Sequence, residues 1–421
     1  MVRGSKVAIG LALSAAMFAT VSVTPAFAAK KEKPAAAPKL VFSDKFRAGA
    51  APIEALLKAE KFAEAVPGLQ ALDAMAASPD EKYYVNRIRL DVAIKTKDAV
   101  LQNAALDGMI ASGGAPASEL GKFNFFSGTD AYNARNYPKA ILRLAEADRL
   151  GYKTVDSIPI LIAQSHFQLK QYAEGLPQAE RAVAQEIAAG KVAPADWYRR
   201  ARAAAYQGKQ TAAVSKWSRM LIKAYPTVEN WRDGLAVYRD LAKLDRQPAL
   251  DLLRLMRTTK ALAGERDYYE YAGIAADSGL PSETKIIVDE GRALGTLNAS
   301  AKNVNELYAI AAPKAAADRA AIMASLPKAA ADPTGKSSAR IANGFLGLDD
   351  NAKAAELYKA ALTKGGLTGD TANDVDTVNL RLGIALARSG QKEAARAAFS
   401  KVTGLRSEMA AFWMLWLDTT V

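Results

Sequence analysis

The chain has 421 residues, of which 50% are hydrophobic and 24% are charged, a balance typical of a globular protein and not of a disordered one. It has no cysteine, which excludes structural disulfides, cysteine-ligated zinc and a lipid-anchored lipoprotein. The formal net charge is +12 at pH 7, and a basic balance of this kind favours anionic partners. The alternative is that the charge serves only solubility.

The first 28 residues are typical of a secretory signal peptide. Arg3 and Lys6 precede an uncharged apolar stretch over residues 7–23, and Ala26-Phe27-Ala28 provides the small residues that a signal peptidase requires. We therefore expect cleavage after Ala28 and a periplasmic or secreted mature chain, which makes nucleic acid an improbable partner. An uncleaved anchor is the alternative, although the apolar stretch is shorter than the roughly 18–20 residues that span a bilayer.

After the signal peptide, the sequence predicts a tether followed by helices. Residues 29–42 begin with AKKEKPAAAPK, a composition typical of a flexible tether. From about Ser43 onward, apolar residues recur at helical spacing, and no segment alternates with the period of two that a strand requires. We expect a turn at residues 332–335 to divide a helical solenoid over residues 43–331 from C-terminal repeats over residues 332–421. Residues 365–376 form a polar insertion between two helical pairs.

Several features recur at a nearly constant interval. Trp197 and Trp231 are 34 residues apart, and Tyr137 and Tyr172 are 35 residues apart. In each unit, a helix containing small residues is followed by a turn and by a second helix with alanine and large apolar residues four positions apart. The segment from residue 125 to 147, with a turn at Arg135-Asn136, shows this pattern clearly.

This arrangement resembles the tetratricopeptide repeat (TPR), most strongly over residues 119–241 and 376–403. The resemblance implies an all-α fold, an α-solenoid of antiparallel helix pairs stacked into a right-handed superhelix with a binding groove. It also implies an exported TPR-like protein of a Gram-negative bacterium. A non-repetitive helical bundle with chance spacings is the alternative.

Most motifs that would indicate catalysis are absent from the sequence. His166 is the only histidine, which excludes an H-E-x-x-H zinc site, and it occupies a position where repeats of this family pack a large side chain. Gly335-Lys336-Ser337 lacks the earlier glycine of a phosphate-binding loop, because Ala330 stands there. We expect no catalytic residue, no metal and no cofactor.

The resemblance also predicts which side chains line the groove. In repeats of this family, groove residues are first-helix side chains that do not pack inward. The matching positions are Phe125, Tyr132, Gln164, Phe167, Tyr198, Arg202, Arg232 and Arg239. Aromatic and arginine side chains are enriched in binding hot spots, and arginine binds carboxylates in a bidentate manner. These positions therefore predict a protein or peptide partner with anionic groups, unless they are ordinary exposed residues.

The C-terminal segment AAFWMLWL, residues 410–417, is apolar on all sides and contains Trp413 and Trp416. A helix of this kind is buried, so we expect it to cap the last repeat. Docking of a partner or self-association through Trp413 and Trp416 is the alternative.

Together, these features predict a non-enzymatic protein–protein interaction scaffold of the bacterial cell envelope. One alternative is a carrier that binds an anionic small molecule or a glycan in the groove. Another is an accessory to peptidoglycan-processing enzymes.

Overall fold

The computed structural model describes residues 39–155, 157–298, 300–367 and 373–420, and every regular element in these ranges is a helix. The predicted signal peptide and residues 29–38 of the predicted tether lie outside these ranges. The chain divides into two compact units, with the boundary between Gln185 and Glu186. The predicted all-α fold class is confirmed.

The first unit is a succession of antiparallel helices joined by short turns. Its helices are α1 (Asp44–Lys58), α2 (Phe62–Met75), α3 (Pro79–Thr96), α4 (Ala99–Ala111), α5 (Ala117–Asn133), α6 (Tyr137–Arg149), α7 (Ile158–Gln168) and α8 (Tyr172–Ala188), which extends past the unit boundary. Each of α1–α6 packs against the next helix along the chain, as antiparallel repeats do.

One carboxylate, that of Glu81, connects the first described helices of the first unit through hydrogen bonds. Glu81 accepts hydrogen bonds from the backbone N–H and hydroxyl of Ser43, at 2.8 and 2.7 Å, and from the backbone N–H groups of Ala77 and Ser78. These hydrogen bonds, those of Ser43 first, lower the pKa of Glu81 to about 2. Because Ser43 and Ser78 are the N-caps of α1 and α3, one side chain joins the starts of two helices.

The packed chain begins before Ser43, inside the segment that we predicted to be tether. Leu40 packs against the core around Tyr83 and Phe123, and the ring centroid of Phe42 lies 4.8 Å from that of Tyr84. The packed part of the chain starts earlier than predicted because Leu40 and Phe42, at the end of the Lys/Pro/Ala-rich segment, pack on a hydrophobic surface.

The second unit continues the same pattern. Its helices are α9 (Ala195–Gln207), α10 (Thr211–Ala224), α11 (Val228–Ala242), α12 (Arg246–Thr258), α13 (Glu265–Asp277), α14 (Pro281–Ala293), α15 (Lys302–Ala324), α16 (Leu326–Ala331), α17 (Lys336–Gly347), α18 (Asn351–Lys364), α19 (Val375–Arg388), α20 (Lys392–Phe399) and α21 (Ser407–Thr419). A 3-10 turn, Gly404–Arg406, precedes α21. One hydrophobic core extends from Ile222 to Leu417, so the turn at residues 332–335 has the same core on both sides.

The turns inside eight of the helix pairs share one backbone geometry. Two positions before the second helix, a residue has left-handed backbone, and the N–H of the following residue donates to a carbonyl in the last turn of the first helix. This is the Schellman ending of a helix. In the described chain, the left-handed residues of these turns are Glu60, Lys97, Arg135, Lys170, Lys209, Gly279, Asp349 and Gly390. The predicted turn at Arg135-Asn136 is confirmed, and the recurrence of one turn marks the repeat more uniformly than side-chain spacing does.

The C-terminal helix α21 packs on two sides. The ring of Trp413, fully buried, stacks on Phe399 of α20 with a centroid distance of 6.0 Å, as a cap on the last pair would. Phe412 lies on another side of the helix, where its ring centroid is 5.7 Å from that of Tyr238 in α11. Arg219 of α10 pairs with Glu408 and also lies over the Phe412 ring. Helix α21 therefore joins the last pair to α10 and α11, and Trp413 is not available at the surface for self-association.

Substitution of Gly383 tests the close approach of α19 and α20. A Cβ atom at this position would overlap the ring of Phe399, so Gly383→Ala should lower the free energy of unfolding by about 1–3 kcal/mol, as overpacking does. Tryptophan fluorescence during urea unfolding measures this change, because all five tryptophans lie after residue 186, in the second unit.

The matched control is Gly273→Ala in α13, where a Cβ atom meets nothing within 4 Å. This change should leave stability unaltered or raise it slightly, because alanine has the higher helix propensity. Equal stabilities of the two variants would contradict the packing described for α19 and α20.

Candidate functional site

Side chains that we predicted to line the groove link the first helices of neighbouring pairs. Each link joins a residue of one first helix to a polar group on the next first helix. The links are Tyr132 to Gln164 at 2.8 Å, Arg202 to Asp233 at 3.6 Å and Arg239 to Asp267 at 2.9 Å. These side chains therefore lie on neighbouring first helices, as the predicted repeat register requires. Their polar groups, however, bind to side chains of the neighbouring helix.

Three of the four aromatic side chains in the predicted set lie inside the helix pairs. Phe125 and Tyr198 are each 2% exposed, and Tyr198 packs on Trp217 with ring centroids 6.2 Å apart. Our expectation that these two rings are exposed is wrong. Phe167 is half-buried against Gly175 of α8, which leaves room for the ring because it has no side chain. Large rings fill the space between two helices better than they cover a surface.

The three predicted arginines differ in their charge partners. Arg202 pairs with exposed Asp233, whereas Arg239 pairs with Asp267, whose side chain is only 8% exposed, and more distantly with Glu270. Among the described residues, Arg232 has no carboxylate within 4.0 Å. Acidic side chains of the next helix therefore partly neutralise two of the three predicted arginines.

His166 has the packing environment expected for it. Its side chain is half-buried, and Nδ1 lies 2.9 Å from Oε1 of Gln171, at the turn between α7 and α8.

A buried ion network, which the sequence analysis missed, lies at the centre of the second unit. Arg254 of α12 donates two hydrogen bonds to Glu283 of α14, at 2.8 and 2.6 Å, and one to Asp251 at 3.0 Å. Arg381 of α19 donates to the same oxygen of Asp251 at 2.9 Å, and the Tyr271 hydroxyl donates to Glu283 at 2.7 Å. Burial by itself raises the pKa of Glu283, but Arg254 outweighs it and holds the pKa below its ordinary value.

A cleft of about 860 Å³ adjoins this network. Arg257 of α12 and Arg388 of α19 line it, together with Lys260 and the apolar side chains of Leu262 and Leu294. Cavities of this size accommodate small ligands, whose orientation is set by a few polar groups. The cleft combines these cationic groups and apolar side chains with two carboxylates, those of Glu290 and Asp349.

Only part of this arrangement has a signal in the sequence. Asp251, Arg254 and Arg257 are spaced by three residues in DLLRLMR, which places them along one side of an apolar helix. A charged stripe within such a run is unusual, because buried charges require partners. Arg381 and Arg388 are about 130 residues further along the chain, and no local pattern connects them to α12.

In the described ranges, no group of three or more His, Cys, Asp or Glu residues could hold a metal ion. No helix in those ranges is both long enough and apolar enough to cross a bilayer.

No protein-family model matches the chain, and no curated protein matches it. Among solved structures, it is similar to the TPR domain of P58(IPK), with 11% identity over 89% of this chain and 97% of that chain and a TM-score of 0.25. It is also similar to yeast Tom70, with 9% identity over 89% and 88% of the two chains and a TM-score of 0.23. The repeat character of this chain is visible in its own helix pairs and turns.

Removal of Arg254 tests the buried network. Arg254→Met leaves Glu283 without an ion-pair partner among the described residues, so we expect a loss of about 3–5 kcal/mol of unfolding free energy. The control is Arg319→Met, which removes a pair between Asp350 and an arginine that is 61% exposed, and should cost less than about 1 kcal/mol. Urea unfolding followed by tryptophan fluorescence measures both, and similar midpoints would contradict a stabilising role of the network.

Proposed function

We propose that this protein is a non-enzymatic interaction scaffold of a bacterial cell envelope, exported through a cleaved signal peptide. Its partner binds to the first-helix face of the second unit, which we define as the side of α9 and α11 that carries Arg202, Arg232 and Asp233. The stacking of antiparallel helix pairs supports this proposal, because each pair adds another helix to such a face.

The observation that carries the proposal is a pair of arginines with unused donors. Arg202 and Arg232 are half-buried on adjacent first helices, and Nη1 of Arg202 and Nε of Arg232 are shielded from solvent without a hydrogen-bond acceptor. A buried donor without an acceptor costs about 1–3 kcal/mol. A partner that brings carbonyl or carboxylate oxygens to these two half-buried arginines would recover that cost once the side chains turn toward it, and arginine is enriched in binding hot spots.

The charge of the surrounding helices supports an oxygen-rich partner. Residues 186–224 contain eight lysines and arginines but only two acidic residues. Arg199 and Arg200 are exposed on α9, beside the proposed face. A positive field of this kind accelerates association with an acidic partner and weakens as ionic strength rises.

A carrier of an anionic small molecule is the second candidate, because the cleft beside Arg257 and Arg388 has the size and composition of a ligand site. An accessory to peptidoglycan-processing enzymes is a special case of the scaffold, in which the partner is such an enzyme.

The double variant Arg202→Ala/Arg232→Ala tests the proposed face. It should reduce capture of the protein partner from an envelope extract at least tenfold, which corresponds to about 1.4 kcal/mol, the loss expected when hot-spot side chains are truncated. Quantitative mass spectrometry of proteins crosslinked to wild type and variant measures the change. Arg239 is kept, because its removal would leave the nearly buried Asp267 without the ion pair that it forms in the described structure.

The control is Arg199→Ala/Arg200→Ala, which removes the same charge from exposed positions of α9. It should retain the partner within about threefold, since exposed charges contribute little. Equal retention by both double variants would place the partner on another surface.

Sequencing of the mature N-terminus tests export. The protein isolated from the envelope of its bacterium should begin at Ala29, because Ala26-Phe27-Ala28 precedes the expected cleavage site. A chain that retains Met1 and sediments with membranes would contradict the exported scaffold.

A further inference from the structure

The cleft in the second unit has a cationic wall that converges from two distant segments. Arg257 comes from the end of α12 and Arg388 from the end of α19, and Lys260 follows Arg257 in the next turn. Leu262 and Leu294 line the same cleft, and Leu294 is 65% exposed. We call this feature the arginine cleft.

Arg388 is the least compensated cation of the cleft. Its side chain is 10% exposed, and its only carboxylate contact within 4.0 Å in the described chain is Asp349, at 3.5 Å. Its other hydrogen bonds go to neutral acceptors, the Thr258 hydroxyl and the backbone carbonyl of Arg254. Burial lowers the pKa of Arg388, which reflects how poorly its charge is solvated. A second oxyanion beside it would therefore be stabilised.

Asp349 is shared between two arginines. Besides Arg388, it accepts hydrogen bonds from Nη1 of Arg257 at 3.1 and 3.0 Å, while Glu290 accepts from Nε of Arg257 at 2.7 Å. The Asp349 side chain is 39% exposed and lies on the left-handed turn between α17 and α18, at the edge of the cleft. It therefore shows the position in which a carboxylate is held by both guanidinium groups.

We propose that the arginine cleft binds the carboxylate of a small organic acid. The carboxylate binds between Arg257 and Arg388, beside Asp349 or in its place, and the apolar body of the acid lies against Leu262 and Leu294. This site is separate from the first-helix face, so it does not depend on the scaffold function. A carboxylate at the end of a peptide has the same chemistry, and the experiment distinguishes the two sources.

The variant Asp349→Asn makes the site measurable. Asparagine tolerates left-handed backbone, so the turn is preserved while the resident negative charge is removed. Arg257 then retains Glu290, but Arg388 has no carboxylate partner, and the variant should unfold at a lower temperature than wild type. Phenylacetate should restore the melting temperature of the full chain, as a ligand of the folded state does.

Three probes at equal ionic strength separate binding from screening. Phenylacetamide has the same body without the charge, and sodium chloride has charge without the carboxylate. We expect phenylacetate to be at least tenfold more potent than phenylacetamide, in line with the strength of a charge-assisted hydrogen bond. If sodium chloride restores the melting temperature as well as phenylacetate does, or if phenylacetate has no effect, the proposal is wrong. A variant that is unfolded in buffer still answers the question, because refolding by phenylacetate alone is the same readout.

Two variants locate the rescue. Asp350→Asn is the matched control, since the neighbouring carboxylate pairs with Arg319 outside the cleft, and it should show no selective rescue by phenylacetate. In Asp349→Asn/Lys260→Gln, the loss of one cationic group from the wall should weaken the rescue severalfold. Selective rescue of Asp350→Asn to the same extent would overturn the assignment to this cleft.

A peptide arm identifies the source of the carboxylate. An acetylated tripeptide that ends in leucine, with a free carboxylate, is compared with the same peptide as an amide. We expect phenylacetate to act at lower concentration than the acidic peptide. The reverse order, with the amide inactive, would overturn the small acid in favour of a peptide end.

Discussion

The fully buried guanidinium of Arg254 is the constraint on which the second unit depends. Arginine does not lose its proton in proteins, so its charge must be compensated where no water reaches it. Glu283 and Asp251 provide that compensation, and Arg381 of α19 completes the network by sharing Asp251. A helix near the C-terminus is thereby held against α12, and the last pair has a fixed position instead of forming an open end of the stack.

The other contacts that stabilise the repeats are local and recur from pair to pair. One type of turn, with a left-handed residue before the second helix, recurs in both units, and only two of its left-handed residues, Gly279 and Gly390, are glycines. A non-glycine residue costs roughly 1 kcal/mol in this conformation, which the hydrogen bonds of the Schellman ending offset. Within a pair, the distance between the two helices depends on individual residues. At Gly383, for example, the missing side chain lets the ring of Phe399 approach the backbone of α19.

Several arginines of the chain are engaged in ion pairs between its own helices. Arg202 and Arg239 hold acidic residues of the next helix, and Arg257 and Arg388 share Asp349 across helices that are distant in sequence. An arginine can bind an anionic ligand where nearby carboxylates do not already neutralise its charge. Arg232 has no carboxylate nearby in the described chain, and Arg388 has one that lies 3.5 Å away. Net charge alone does not distinguish these cases, because it counts a paired arginine and an unpaired one equally.

The sequence by itself determined the helical class, the antiparallel pairing and the register of the strongest repeats, because helix periodicity and turn residues act over a few positions. For that reason it placed Tyr132 and Gln164 correctly on first helices of neighbouring pairs, and it placed the Arg135-Asn136 turn correctly between two helices. Only the tertiary structure decided which side of a helix is covered. Phe125 and Tyr198 lie inside their pairs. Helix α21 packs on α10 and α11 as well as on α20. Such outcomes depend on contacts between segments as far apart as Asp251 and Arg381, and the free energy of a buried charge or ring is set by all its neighbours at once.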